Sequence, residues 1–185
     1  MNATISKFPE SKTGQRSRHI PVTETAKIIR QALKEAFPEI KFSVRSDKYS
    51  GGSSINIGWT NGPHHALVDA IAKRFQGGYF DGMTDYKGGR VHKFKGEFVS
   101  FGGDFVFCNR TISDDVKARA VEMLSPLDAD ALEQMAFKFD VWRHFRKEYD
   151  TAKDLAYLIL RNCPTPQFEG RTSPTADAAE IVRSY

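Results

Sequence analysis

The chain has 185 residues, 40% of them hydrophobic and 27% charged, with a formal net charge of +4, which leaves room for one core and an appendage and excludes two full domains. No apolar run approaches the roughly 20 residues of a membrane span, the polar start carries no secretory signal, and two distant cysteines, Cys108 and Cys163, make neither a CxxC metal pair nor a disulfide framework. A protein of a reducing cytoplasm, with no membrane partner, is expected. Residues 1–100 hold 16 Lys and Arg against 9 Asp and Glu, a balance of +7, while residues 101–185 hold 11 against 14, or −3, so the first half would attract polyanions.

Residues 1–20 mix Ser, Thr, Lys, Arg, Gly and Pro without an apolar period, which predicts a mobile basic arm. Thr23 or Thr25 can cap a helix to about Ala36, striped by Ile28, Ile29, Ala32, Leu33 and Ala36 and stopped by Pro38. Residues 41–60 carry the strongest pattern. Ile40, Phe42 and Val44 alternate on one side of Ser50-Gly51-Gly52-Ser53, and Ile55, Ile57 and Trp59 on the other, predicting an antiparallel hairpin with one buried face. Lys41 and Arg45 fall on the opposite face; Lys48 and Tyr49 stand beside a tip whose Gly51 and Gly52 free the backbone. That tip reads either as a contact surface or as a solvated turn.

Asn61-Gly62-Pro63 breaks the second strand, and Pro63 suits the first turn of a helix with Leu67, Ile71 and Phe75 on one side, ended by Gly77-Gly78. His64 and His65 would point about 100° apart on it and are not expected to share a metal ion. Residues 79–95 show no period and predict a long loop, with Asp81 and Asp85 as turn formers. Glu97 to Arg110, two aromatic and β-branched runs around Gly102-Gly103, predict a second hairpin. Phe98, Phe101, Phe105 and Phe107 cannot share one face of it, so either both faces are covered or some rings stand exposed for stacking. Ser113 opens a third helix, Asp128 a longer fourth reaching Tyr149, and Thr151 with Asp154 a capped fifth. Arg143, Arg146 and Lys147 cluster near the end of the fourth. The expected tail after Cys163 is irregular, with a short helix from Asp177 to Arg183.

The expected fold is α+β: a domain over 21–111 with a four-stranded, mostly antiparallel sheet and helices on one face, a helical extension over 112–162, and the tail over 163–185. Thr25-Ala26-Lys27-Ile28-Ile29-Arg30, Lys41-Phe42-Ser43-Val44-Arg45-Ser46, Tyr49-Ser50-Gly51-Gly52-Ser53-Ser54-Ile55, Trp59-Thr60-Asn61-Gly62-Pro63 and Phe80-Asp81-Gly82-Met83-Thr84-Asp85 together resemble the twenty-ninth of the large polyvalent protein-associated domains of phages and plasmids. The resemblance covers residues 25 to about 110. It implies a module otherwise joined to enzymes in very large polypeptides of mobile elements, credited with protecting incoming DNA from host defences and with no catalytic assignment. Without an enzymatic neighbour, the reading that follows is a non-enzymatic counter-defence protein in the cytoplasm of a bacterial host. It would dock on a host defence protein or nucleoprotein complex such as a CRISPR effector. The other reading is direct binding of DNA or RNA. Either would use Lys41, Arg45, Lys48, Tyr49, Gly51 and Gly52 at the hairpin, or Arg143, Arg146 and Lys147 on the fourth helix. No catalytic residue, metal ligand or cofactor is expected.

Overall fold

The computed structural model describes residues 17–184. Along them run β1 (Arg18–Ile20), α1 (Val22–Ala36), β2 (Ser43–Tyr49), β3 (Gly52–Thr60), α2 (His65–Ala72), β4 (Gly78–Asp81), β5 (Tyr86–Phe94), β6 (Glu97–Phe101) and β7 (Phe105–Thr111). Then come α3 (Asp114–Leu124), α4 (Ala129–Lys138), α5 (Ala152–Asn162), α6 (Pro174–Asp177) and β8 (Ala179–Ser184). The class is α+β with a C-terminal helical region, as expected, but the strands form two mixed sheets rather than one of four strands. In the three-stranded sheet β3 lies between β2, antiparallel to it, and β7, parallel to it. The five-stranded sheet runs β1-β6-β5-β4, with β8 also on β5; β1 is parallel to β6 and the other pairs are antiparallel. His92, Lys93 and Phe94 pair with both β6 and β8, so these two strands flank β5 on opposite sides.

The β2–β3 hairpin forms in the register that its alternation predicts, and Val44, Ile55, Ile57 and Trp59 enter the core beneath Ile29, Ala32 and Leu33 of α1 and Val68 and Ile71 of α2. The start of α1 differs from expectation. Pro21 is its N-cap, and Thr25 is buried within the first turn, where its Oγ1 donates to Pro21 O at 3.1 Å. The second helix likewise begins later than expected, at His65, two residues beyond Pro63, and is capped by His64. Residues 18–20, expected in the arm, are β1; the rest of that arm, to residue 16, lies outside the described residues.

Three further expectations fail for identifiable reasons. Gly102-Gly103 is not a hairpin turn, because β6 and β7 enter different sheets; a Cβ at Gly102 would lie 2.6 Å from Val22 N and 2.8 Å from Ile20 O, so the residue is there for close backbone approach. The expected loop over 79–95 is β4 and β5, whose Gly78, Gly88 and Gly89 hide the alternation. The fourth helix stops at Lys138, with Asp140 at φ 52°, a left-handed backbone that no α-helix continues through.

Nor is the tail irregular. A 3-10 turn at Pro166–Phe168, α6 and then β8, where a helix is expected, bring Phe168, Ala176 and Ala179 into the main core. Glu35 of α1 holds this return in place, accepting from Ser173 Oγ at 2.6 Å, Thr175 Oγ1 at 2.7 Å and Thr175 N at 3.0 Å. Those bonds, Ser173's first, lower its pKa to about 2. Leu124, Leu132, Ala136, Val141, Phe145, Leu155 and Ala156 make a second, separate apolar cluster among α3 to α5, and α5 opens on the predicted Thr151–Asp154 capping box. No helix among the described residues is long and apolar enough to cross a membrane.

One core residue makes stability depend on pH. His92 on β5 is fully buried, edge-on to Phe101 at 4.9 Å, and neither ring nitrogen has a hydrogen-bond partner among the described residues. Burial above all, with a smaller contribution from Arg90, lowers its pKa to about 4. As pH falls the unfolded chain therefore takes up this proton first, near 6.5. The stabilisation is complete above that pH and declines towards pH 4, by up to about 3 kcal/mol. Denaturant unfolding at pH 7 and pH 4.5 should show a smaller loss in His92→Phe than in the parent chain; equal losses would remove His92 as the cause.

Candidate functional site

The β2–β3 hairpin turns through Ser50 and Gly51, the latter at φ +86°, where a side chain would be strained. Its tip is tied to the other sheet. Lys87 Nζ on β5 donates to Gly51 O and to Asp104 Oδ2, each at 2.8 Å, and the same carboxylate oxygen accepts from Ser53 N at 2.9 Å. Ser53 Oγ in turn donates to Gly102 O. A Cβ on Gly52 would stand 2.8 Å from Asp104 Oδ2 and 2.9 Å from Lys87 Nζ, so Gly52 is small to admit this knot. The half-exposed ion pair within it contributes about 1 kcal/mol at most. Its main effect is to fix the position of the tip.

The position matters because Lys87 is the second residue of β5, so the tie sets the β2–β3 tip beside the β4–β5 turn. Asp81 shapes that turn, its carboxylate accepting from Thr84 Oγ1 at 2.8 Å and Met83 N at 3.0 Å. These bonds, Thr84's first, hold its pKa below the usual range. Asp81 is thus a turn former, and what it presents is Met83, 96% exposed, with Phe80 at 55% and Tyr86 at 51% on either side. Phe80, near the end of β4, and Tyr86, at the start of β5, lie on opposite faces of the ribbon. Residues of this size left in water each forgo roughly 1.5–3 kcal/mol of burial, and with Met83 between them the end of the hairpin is a candidate interaction site.

Lys41, Arg45, Lys48 and Tyr49 are all exposed. Arg45 and Tyr49 lie on the outer face of the three-stranded sheet and Lys48 on the alternate side of β2. The register sets Arg45 beside Asn56, and Asn56 beside Phe107 on β7. Phe107 stacks on Phe105 with ring centroids 6.3 Å apart, and Lys87 Nζ lies 5.7 Å from the Phe105 centroid. Some phenylalanine rings of this stretch are therefore exposed while Val99, Phe101 and Val106 are core.

Arg143, Arg146 and Lys147 are not on a helix but on turns after α4, and belong to the surface of the second cluster, not to the hairpin. Lys147 is engaged by Asp130 at 2.5 Å and Glu133 at 3.0 Å, which raise its pKa to about 12. Arg146 lies over the Tyr149 ring at 5.8 Å. Arg143 caps an exposed stack, 5.1 Å over Trp142, which is itself 5.6 Å from Phe137. Sequence reading did not single out Phe80, Met83 or Tyr86. The available signal was three large apolar residues within a Gly- and Asp-rich stretch that has no buried period.

Fold and surface together define a two-sheet α+β module with paired hairpin tips open to solvent and a helical appendage. The chain belongs to the family of large polyvalent protein associated domain 29, a domain family of phages and mobile elements, whose model matches residues 20–113. That span includes α1 through β7 and both hairpin tips, and leaves out β8 and the appendage. No curated protein and no solved structure matches the chain.

Proposed function

We propose that the chain is a non-enzymatic counter-defence protein that docks through its hairpin tips on a host nucleoprotein or nuclease complex, such as a CRISPR effector, in the bacterial cytoplasm. Docking there blocks nucleic-acid entry or recruitment of the nuclease. The observation that carries this reading is the exposure of Met83 on a turn that Asp81 has already ordered, with Phe80 and Tyr86 exposed on the two strands that flank it. Methionine and aromatic residues are the types that concentrate binding energy at interface centres, and a turn fixed beforehand loses little entropy on docking. Tyr49 adds a half-exposed ring at the neighbouring tip and Lys48 a charge, while the mobile-element setting comes from the family.

Recovery of the partner from host lysate before and after nuclease treatment separates a protein contact from a nucleic-acid bridge. In the same assay, Met83→Glu should leave melting unchanged and weaken partner retention and anti-defence activity at least about tenfold, a loss of ~1.4 kcal/mol. Unchanged melting with unchanged activity would remove the tip as the docking site.

A further inference from the structure

We propose that the outer face of the three-stranded sheet is a second site, which binds single-stranded RNA by stacking a base on Phe107. The face is open at its centre. Phe107 is 50% exposed, and no atom of the described residues lies within 4 Å of where a Cβ on Gly58, in the next cross-strand row, would stand. A ring standing on a sheet beside a glycine leaves room for a planar group to lie against it, and base–aromatic stacking needs no more than a free π-face. Phe105, stacked below Phe107, extends the platform by one ring.

The rest of the face selects for a nucleic-acid strand over a protein. Phe105, Phe107 and, at the far end, Tyr49 are separate rings rather than a continuous apolar core of the kind a protein interface needs, whereas Asn56 and Asn109 supply amides at the positions flanking Phe107 and Gly58. Thr60 and Thr111 pair at the end of the same face and add hydroxyls. Arg45 stands in one row with Asn56 and Phe107, where its guanidinium can meet a phosphate or stack on a base. Asp47 is the opposing charge, in the row of Ser54 and Phe105, so the strand's phosphates pass on the Arg45 side. Hydrogen-bonding groups outnumber cations, which suits a ligand carrying 2′-hydroxyls and directs the assignment to RNA rather than DNA. Duplexes are excluded because their bases are not free to stack.

The site is centred on Phe107, away from the β4–β5 turn that carries Met83, and its test keeps the two apart. Fluorescence anisotropy of the full chain with labelled 12-nucleotide single-stranded RNA, the same sequence as DNA, and the RNA duplex should show tightest binding to the single RNA strand. Phe107→Ala should weaken that binding at least about tenfold. Gly58→Glu, which adds bulk and negative charge in open space without touching the core, should do the same. Arg45→Ala should flatten the log–log salt dependence by about 0.7, and Met83→Glu should change nothing. No binding near physiological salt, equal binding of the DNA strand or the duplex, or binding retained by folded Phe107→Ala and Gly58→Glu would overturn the proposal.

Discussion

A chain cut after Asn162, which keeps the whole family match and every helix through α5, is expected to lose its cooperative melting transition. The missing tail supplies core, not cover. Phe168 packs edge-on against Phe37 at 6.1 Å, under Arg171, whose guanidinium lies 4.8 Å from its ring. Loss of a buried phenylalanine alone costs about 3–5 kcal/mol. Removing β8 also strips one edge of β5 and uncovers His92. The Glu35 carboxylate would lose Ser173 and Thr175 together. Set against a total stability of roughly 5–15 kcal/mol for a domain, these losses exceed what the remainder can absorb. The same reasoning applies to a fragment ending near residue 112, which is expected to lose the transition as well. Thermal unfolding followed by circular dichroism decides it: a sharp transition within a few degrees of the parent would make the tail an accessory.

Gly77→Ala is expected to be the most damaging single methyl group that the chain can receive. Its Cβ would fall 1.8 Å from Phe101 O and 2.9 Å from Phe101 C. Both are backbone atoms, and no rotamer can relieve the overlap. Nor can residue 77 move aside, since its N–H donates to Gly103 O and its carbonyl accepts from Arg90 N, each at 2.7 Å. A destabilisation of at least about 3 kcal/mol follows, roughly 6–12 °C in Tm for a chain of this size. Gly89→Ala is the control. No atom of the described residues lies within 4 Å of its Cβ position, so its stability should stay within about 0.5 kcal/mol of the parent. Equal melting of the two variants would show that the β4–β6 crossing is looser than its hydrogen bonds indicate.

Those two glycines also show what the sequence could and could not reveal. Where a local rule governs a segment, reading it succeeds: the alternation of residues 42–59 gives the β2–β3 register, and Thr151 with Asp154 gives the start of α5. Where a glycine answers to a distant backbone, local reading misleads. Gly102 looks like a turn residue and is instead pressed against Ile20 and Val22. The stripe through Phe139, Trp142 and Phe145 looks helical by its spacing, yet Asp140 turns the chain, which buries Val141 and Phe145 and leaves Trp142 outside. At the site, Arg45, Lys48 and Tyr49 are as exposed as expected. Phe80, Met83 and Tyr86 escaped notice because large apolar residues normally indicate core, and only the paired hairpins reveal that these face water.

The pairing of β8 with β5 and of β1 with β6 also sets the order in which the molecule can assemble. Arg18 must find Val99, and Phe94 must wait for Ala179, whereas the appendage joins segments close in sequence. Non-local closures of this kind are slow, because the loop entropy is lost before the contacts reward it. On a ribosome that adds about 5–20 residues per second, β1 waits several seconds for β6, and the apolar strands between them remain uncovered on one edge until the tail emerges. Nascent chains are therefore exposed to aggregation and to chaperone capture over that interval.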